Sequence, residues 1–312
     1  MNDRPEVLLT SAIHPDEHAR LVRHATVVQA TDARPETLRR AAATAHGIIV
    51  RNPLPADIFE HAPLLKAVVR HGVGLDMIPM EAAREFPVVV ANVPNANTAT
   101  VVEYCLGAML HLRRPLTRMD SMLRANGWAG ARSDGEGSGE LTGATCGIVG
   151  VGAIGSRLAA VAHALDMRVL GLTRRPATLP PGVEAVDKTT LLREADVIVL
   201  CCPLTDETRG LIDEAALSIV KPGAILINVA RGPVVDTAAL IRALDDGRLA
   251  GAALDVHDVQ PLPADAAILR SPTVLLTPHV AGSTAASMRR MSQGAVDEML
   301  RILAGQEPIN RV

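Results

Sequence analysis

The sequence predicts an α/β protein of two domains, each a parallel sheet doubly wound with helices. Three observations carry that expectation. Short β-branched runs alternate with Ala-rich helical patterns along 312 residues, a length that suits two ordinary cores. The turn Gly150-Val151-Gly152-Ala153-Ile154-Gly155 follows an apolar run at 146–149 and precedes a helix-patterned stretch at 156–165. The composition, 48% hydrophobic and 21% charged, is that of a soluble globular chain.

Taken in order, the first strands are expected at 6–9, 47–51, 67–70 and 88–91. An apolar helical stretch at 98–113 follows, suited either to a dimer contact or to intrachain core. A polar, Gly-rich segment at 125–143 could serve as a domain linker. Six further strands are expected at 145–149, 168–172, 197–201, 224–229, 251–255 and 273–276, the number a doubly wound dinucleotide domain requires. A last helical pattern, 285–303, lies beyond them. The first series is short, so this helix is expected to return to it. Residues 1–95 with 284–312 would then form a substrate domain, and 96–283 a dinucleotide-binding domain, with a cleft between them. With only four aromatic residues, Phe59, Phe86, Tyr104 and Trp128, the cores must be built from Ala, Val, Leu and Ile.

Several classes of partner are disfavoured. A net charge of −3 suggests neither nucleic acid nor an anionic membrane, and Arg39-Arg40 and Arg289-Arg290 suit solvated helix faces. No apolar run approaches the roughly 18 residues of a membrane span, and an N-terminus with Asp3, Arg4 and Glu6 lacks a signal-peptide profile, so a cytoplasmic location is expected. Cys105, Cys146, Cys201 and Cys202 lack metal-ligand spacing and suit buried free thiols; no metal site is expected.

The glycine turn points to a dinucleotide. Of its three glycines, Gly150 would make the turn, Gly152 would let the backbone approach a pyrophosphate, and Gly155 would pack helix on strand. The helix N-terminus behind it offers amide hydrogens to the phosphates. An NAD site commonly places an acid about 20 residues farther on, for the ribose hydroxyls. Here that place holds Thr173, Arg174 and Arg175, which can bond and neutralise a 2′-phosphate, so NADP is favoured and NAD stays open.

Two residues stand at the carboxyl ends of later strands. Arg231 follows the run at 224–229, where its fork of donors would suit a carboxylate and a carbonyl oxygen; on that context alone a surface arginine fits as well. His279 follows the last strand in Thr277-Pro278-His279-Val280-Ala281-Gly282-Ser283 and is the best placed general acid or base among ten histidines.

With these residues the chain resembles the D-isomer-specific 2-hydroxyacid dehydrogenases, of the glyoxylate and hydroxypyruvate reductase type. The resemblance extends to His71-Gly72-Val73-Gly74-Leu75-Asp76, Asn92-Val93-Pro94, Glu140-Leu141-Thr142-Gly143, Pro203-Leu204-Thr205, the stretch from Asn228 to Val235, Leu254-Asp255-Val256 and Thr277-Pro278-His279. It implies a Rossmann domain beside a smaller flavodoxin-like one, a homodimer, and reversible hydride transfer between a nicotinamide and C2 of a small 2-keto or 2-hydroxy acid. Arg231 would bind and polarise the substrate, His279 would exchange the proton, and Val73 and Gly74 would offer backbone amides to the carboxylate. Cofactor contacts would come from Gly150, Gly152, Ala153, Ile154 and Gly155, from Cys202 and Pro203, from Val229 and Ala230, and from Asp255 and Gly282.

One position departs from the pattern. Gln260 stands where the family places a glutamate that pairs with the histidine. A carboxylate would favour imidazolium, whereas a neutral amide orients the ring without supplying charge, so reduction is expected to fade at lower pH than in glutamate-bearing relatives. Asp258 lies too near the strand to be taken as a substitute. Glutamine here also resembles NAD-dependent formate dehydrogenases, and some relatives are non-catalytic cofactor-sensing co-repressors; both stay open as alternatives. Retention of Arg231 and His279 favours catalysis.

Overall fold

The computed structural model describes residues 4–312, which divide into two compact units, one ending at Asn97 and resuming at Ser283–Val312, the other Thr98–Gly282. In unit 1 the order is β1 (Glu6–Leu9), α1 (Pro15–Val22), β2 (Thr26–Gln29), α2 (Pro35–Ala42), β3 (Gly47–Val50), β4 (Ala67–Arg70), α3 (Met80–Ala83) and β5 (Val89–Ala91). The sheet runs β2-β1-β3-β4-β5 and is parallel throughout. Strand order reverses between β1 and β3, the flavodoxin-like pattern.

Both faces of this sheet are dry. Leu8, Ile48, Val50 and Val68 face a core closed by Leu38, Ile58 and Phe59. Val7, Leu9, Ile49 and Val69 face the C-terminal helix, Ala285–Leu303, through Ala295, Val296, Met299 and Ile302. That helix sits so close that a Cβ on Gly47 would lie 2.3 Å from the Met299 sulfur. Its N-terminus is closed by a capping box between Thr284 and Ser287.

Unit 2 begins with α4 (Thr98–Arg113), α5 (Leu116–Asn126) and α6 (Trp128–Glu136). There follow β6 (Thr145–Val149), α7 (Ala153–Ala164), β7 (Arg168–Leu172), β8 (Val183–Ala185), α8 (Lys188–Glu194), β9 (Val197–Leu200) and α9 (Glu214–Ser218). The unit ends with β10 (Ala224–Asn228), α10 (Thr237–Asp245), β11 (Leu249–Leu254) and β12 (Val274–Leu276). Its parallel sheet runs β12-β11-β10-β9-β6-β7-β8, and the order reverses between β6 and β9. Counted from β6, the first six strands have the doubly wound dinucleotide-binding arrangement.

The structure differs from one expectation and narrows two others. The sheets hold five and seven strands rather than four and six, because β2 and β8 are short edge strands with too little buried surface to show an apolar run. The segment expected as a linker carries α6. Neither α5 nor α6 buries a residue, and pairs such as Asp120 with Arg124 and Arg132 with Glu136, one turn apart, stud their surfaces. Helix α4 serves intrachain core: Val101, Val102, Cys105 and Met109 are buried with Cys146, Ile148 and Leu158.

The four cysteines are free; Cys105, Cys146 and Cys202 are buried and Cys201 is half-buried. Burial pushes the Cys146 thiol up to about 12, which removes its nucleophilic character near neutrality. Among the described residues no helix is long and apolar enough to cross a membrane, and no cluster of side chains could hold a metal ion.

Candidate active site

The glycine turn lies at the switch point of unit 2. Gly150 has φ +93°, and a Cβ there would fall 2.6 Å from the Cys202 Cα, so the turn after β6 touches the chain leaving β9. A Cβ on Gly155 would fall 2.4 Å from the Gly150 carbonyl oxygen, which is the close packing of helix on turn. At Gly152 a Cβ would meet nothing within 4 Å. No side chain caps the N-terminus of α7, so the amides at Ala153 and Ile154 face open space over an exposed Gly152. Uncapped amides at a helix N-terminus beside open space suit an anionic group. Cys201 donates its thiol hydrogen to the Gly150 carbonyl (3.1 Å) and steadies the turn from β9.

Around that turn lie the other dinucleotide candidates. Thr173 follows β7 and accepts a hydrogen bond from the Arg175 amide (3.2 Å). Arg174 and Arg175 are exposed, and among the described residues neither is drawn into a salt bridge. Cys202 is buried beside the turn, whereas Pro203 is exposed and its carbonyl accepts from the Thr208 hydroxyl (2.8 Å). Val229 and Ala230 leave β10, and the buried Asn228 side chain fixes their course: it accepts from the Ala230 amide (3.0 Å) and donates to the Arg231 carbonyl (3.0 Å). Arg231, half-buried, donates to the Ala230 carbonyl (2.6 Å).

His279 occupies an unusual backbone position. Its φ is +58°, the left-handed region that costs an L side chain about 1–2 kcal/mol. The cost is offset by a tight loop. The His279 amide donates to the Asp255 carbonyl (2.8 Å) and the Thr277 carbonyl (3.1 Å). The Asp255 carboxylate, 2% exposed, accepts from the Val280 and Ala281 amides (both 2.8 Å) and from the Thr277 hydroxyl (2.6 Å). Tyr104 of α4 extends the network through its bond to the Thr277 hydroxyl (2.8 Å), and burial pushes its phenol up to about 12, so it stays protonated. Gly282 follows Ala281 as the last residue of the unit.

Gln260 meets the ring of His279. Its Oε1 accepts from Nδ1 at 2.9 Å while its Nε2 donates to the His257 carbonyl at 3.2 Å. The second bond sets the amide the right way round, because a carbonyl can only accept. An amide oxygen against Nδ1 requires the proton there, which leaves Nε2 of His279 to gain and lose a proton. Asp258 is engaged elsewhere: its carboxylate accepts from the Thr237 hydroxyl (2.6 Å).

Val73 and Gly74 lie in unit 1, after β4. All four carbonyls of the segment 71–74 are bound. Arg70 donates to the His71 carbonyl (2.9 Å) and the Gly74 carbonyl (3.0 Å), Val93 to Gly72 (2.9 Å), and the Asn92 amide to Val73 (2.9 Å). The amides of Val73 and Gly74 make no hydrogen bond among the described residues. Unpaired backbone amides beside fixed carbonyls are the kind of arrangement that suits an anion. Beneath it His71 is buried and bonded to Ser292 (2.8 Å). Burial, with the nearby Arg51 and Arg70 charges, holds its imidazole down at about 3.

The turn, Arg231, His279 and Gln260 are visible in the sequence, but the side chains that support them are not. Asn92, Tyr104 and His257 act through long-range side-chain bonds that no local pattern announces, whereas Arg70 and Asn228 bond mainly to backbone a few residues away. Asn92 stands in Asn92-Val93-Pro94, and a polar residue closing an apolar strand is the available signal at Asn228.

Known proteins share the sequence and the fold of this chain. Residues 106–281 match the family model described as D-isomer specific 2-hydroxyacid dehydrogenase, NAD binding domain. A glyoxylate/hydroxypyruvate reductase B from Pectobacterium carotovorum is 37% identical over 99% of this chain and 98% of its own length. A glyoxylate reductase from Aeropyrum pernix is 33% identical over 99% of this chain and 96% of its own. Among solved structures, an NADPH-dependent glyoxylate/hydroxypyruvate reductase from Sinorhizobium meliloti, in complex with NADP and malonate, superposes with a TM-score of 0.89 at 30% identity, covering 99% of this chain and 97% of that one.

Proposed function

This chain belongs to the D-isomer specific 2-hydroxyacid dehydrogenase family, and from that membership we propose that it reduces small 2-keto acids, glyoxylate and hydroxypyruvate foremost, with NADPH preferred over NADH. It is an oxidoreductase of CH–OH groups that works with a nicotinamide dinucleotide. The observation that carries the residue assignment is the His279–Gln260 pair, held on a loop pinned by Asp255 in the same unit as the glycine turn.

The open space over Gly152 and the uncapped N-terminus of α7 fit a pyrophosphate. When bound, the dinucleotide supplies the hydride that C2 receives. Gly150, Gly152, Ala153, Ile154 and Gly155 would hold the phosphates; Thr173, Arg174 and Arg175 would take the 2′-phosphate, since no acid stands there to repel it. Cys202, Pro203, Val229, Ala230, Asp255 and Gly282 are assigned to the remaining cofactor contacts.

Arg231 binds the substrate carboxylate and polarises the keto oxygen through its fork of donors. The Val73 and Gly74 amides are assigned to a substrate carboxylate as well, which suits their lack of internal partners. As charge develops on the oxygen at C2, protonated His279 gives up its Nε2 proton while Gln260 keeps Nδ1 protonated, and the direction reverses in oxidation.

Leu116, Leu123 and Trp128 are exposed on α5 and α6, two helices with no fully buried residue, and this supports a homodimer formed through them. Four free thiols suit a reducing compartment, which supports the cytoplasm.

Steady-state kinetics with NADPH and NADH over glyoxylate, hydroxypyruvate, pyruvate and bulkier 2-keto acids test the reading. The highest kcat/KM is expected for glyoxylate or hydroxypyruvate with NADPH. Greater efficiency with NADH removes the cofactor preference, and tight cofactor binding without turnover of any acid removes the enzymatic reading.

A further inference from the structure

His257 has no counterpart in the reading above, yet three parts of the candidate site meet at it. Its ring Nε2 donates to the Thr277 carbonyl at 3.0 Å. That same carbonyl accepts from the His279 amide, so the ring of one histidine and the backbone of the other share a single oxygen. The His257 carbonyl accepts from Gln260 Nε2, the bond that turns the Gln260 amide oxygen toward His279. The His257 backbone is also pressed against the turn after β10: a Cβ on Gly232, next to Arg231, would fall 2.1 Å from the His257 carbonyl carbon.

The bonds close on themselves. His279 Nδ1 donates to Gln260, Gln260 to the His257 carbonyl, His257 to the Thr277 carbonyl, the Thr277 hydroxyl to Asp255, and the His279 amide to the Asp255 carbonyl. Each link constrains the next, so loss of one donor loosens the ring of His279 from two sides. We propose that His257 is a positioning residue for proton transfer: its Nε2 donor to Thr277 and its carbonyl to Gln260 together set the orientation and tautomer of His279. Because Nε2 bears a hydrogen in both the neutral and the protonated ring, this bond does not depend on the charge of His257. The ring touches no reacting atom in this assignment; it acts through Thr277 and Gln260.

The proposal rests on the assignment of His279 as the proton-exchanging residue, and its test has one arm that needs no turnover. Ring-nitrogen chemical shifts of 15N-histidine-labelled enzyme without substrate report the tautomer, with His279→Asn used to assign the signals. In the wild type, neutral His279 is expected as the Nδ1–H form. In His257→Leu the two ring nitrogens should move toward a mixture, kcat for the best 2-keto acid should fall about tenfold, the scale of lost supporting bonds, and KM should stay within about twofold. His257→Gln, whose side-chain amide reaches about as far as Nε2, should restore both readouts. If the Leu variant fails to fold, His257→Asn, too short to reach Thr277, replaces it. An Nδ1–H tautomer and kcat both unchanged in the Leu or Asn variant overturn the proposal, as does a folded Gln variant that restores neither. A wild type that turns over no 2-keto acid defeats the proposed function and leaves the nitrogen shifts to decide the role of His257.

Discussion

Asp255→Asn removes a single charge from a buried loop while preserving shape. The carboxylate accepts three bonds: Oδ1 from the Thr277 hydroxyl and the Val280 amide, Oδ2 from the Ala281 amide. The least costly asparagine rotamer keeps its oxygen on the first pair and turns its NH2 toward Ala281. Two donors then face each other, and at 3% exposure Ala281 has little water to relieve them. One charge-assisted bond is lost and one buried amide is left unsatisfied, together about 2–4 kcal/mol. Much of that falls on the loop holding His279 at φ +58°. At about 2–4 °C per kcal/mol for a unit of this size, the transition of unit 2 should drop by roughly 4–16 °C. Kcat should fall along with it. Thermal unfolding followed by circular dichroism, beside saturating kinetics, measures both. A variant within about 0.5 kcal/mol of wild type and with unchanged kcat would refute the reasoning.

Gly155→Ala should destabilise unit 2, because its Cβ meets backbone at 2.4 Å, whereas Gly152→Ala should melt like wild type and weaken dinucleotide binding alone; calorimetric melting and cofactor titration separate the two. His71, with its folded pKa at about 3 against 6.5 when unfolded, binds a proton more readily in the unfolded chain across that window. Stability present above pH 6.5 is therefore lost as pH falls toward 3, about 2 kcal/mol by pH 5, and His71→Gln should flatten that limb in denaturant unfolding. Arg70→Met releases the His71 and Gly74 carbonyls and should raise KM for 2-keto acids about tenfold, with kcat changed less, in steady-state assays. Gln260→Glu should shift the fading of reduction to higher pH in a kcat/KM profile; an unmoved profile counts against Gln260 as the partner of His279.

The fold was legible where burial is two-sided. Strands such as β6, β9 and β10 are apolar on both faces, so Cys146 to Val149, Val197 to Leu200 and Ala224 to Ile227 announce themselves as unbroken runs. Thr26 to Gln29 and Val183 to Ala185 do not, because each mixes apolar with polar residues, unlike the apolar edge strands β5 and β12, and has no buried residue to mark it. The site divides in the same way. Gly150, Gly152 and Gly155 are local, as their spacing is the mechanism. The use of the Asp255 carboxylate to fasten residues 277–281 is not, since it depends on a pairing of β11 with β12 that closes a loop of some twenty residues. His257 was hidden for the same reason: its partner lies twenty positions away.

The C-terminal helix also imposes an order on synthesis. Strands β1 to β5 leave the ribosome first, but the helix that covers Val7, Leu9, Ile49 and Val69 is made after all of unit 2. At 5–20 residues per second the wait is roughly 10–40 s, long against most folding events. Unit 2 is one uninterrupted stretch and can complete its sheet in that time. A nascent chain thus carries a finished nucleotide fold behind a bare apolar sheet face, the interval in which a chaperone has most to protect.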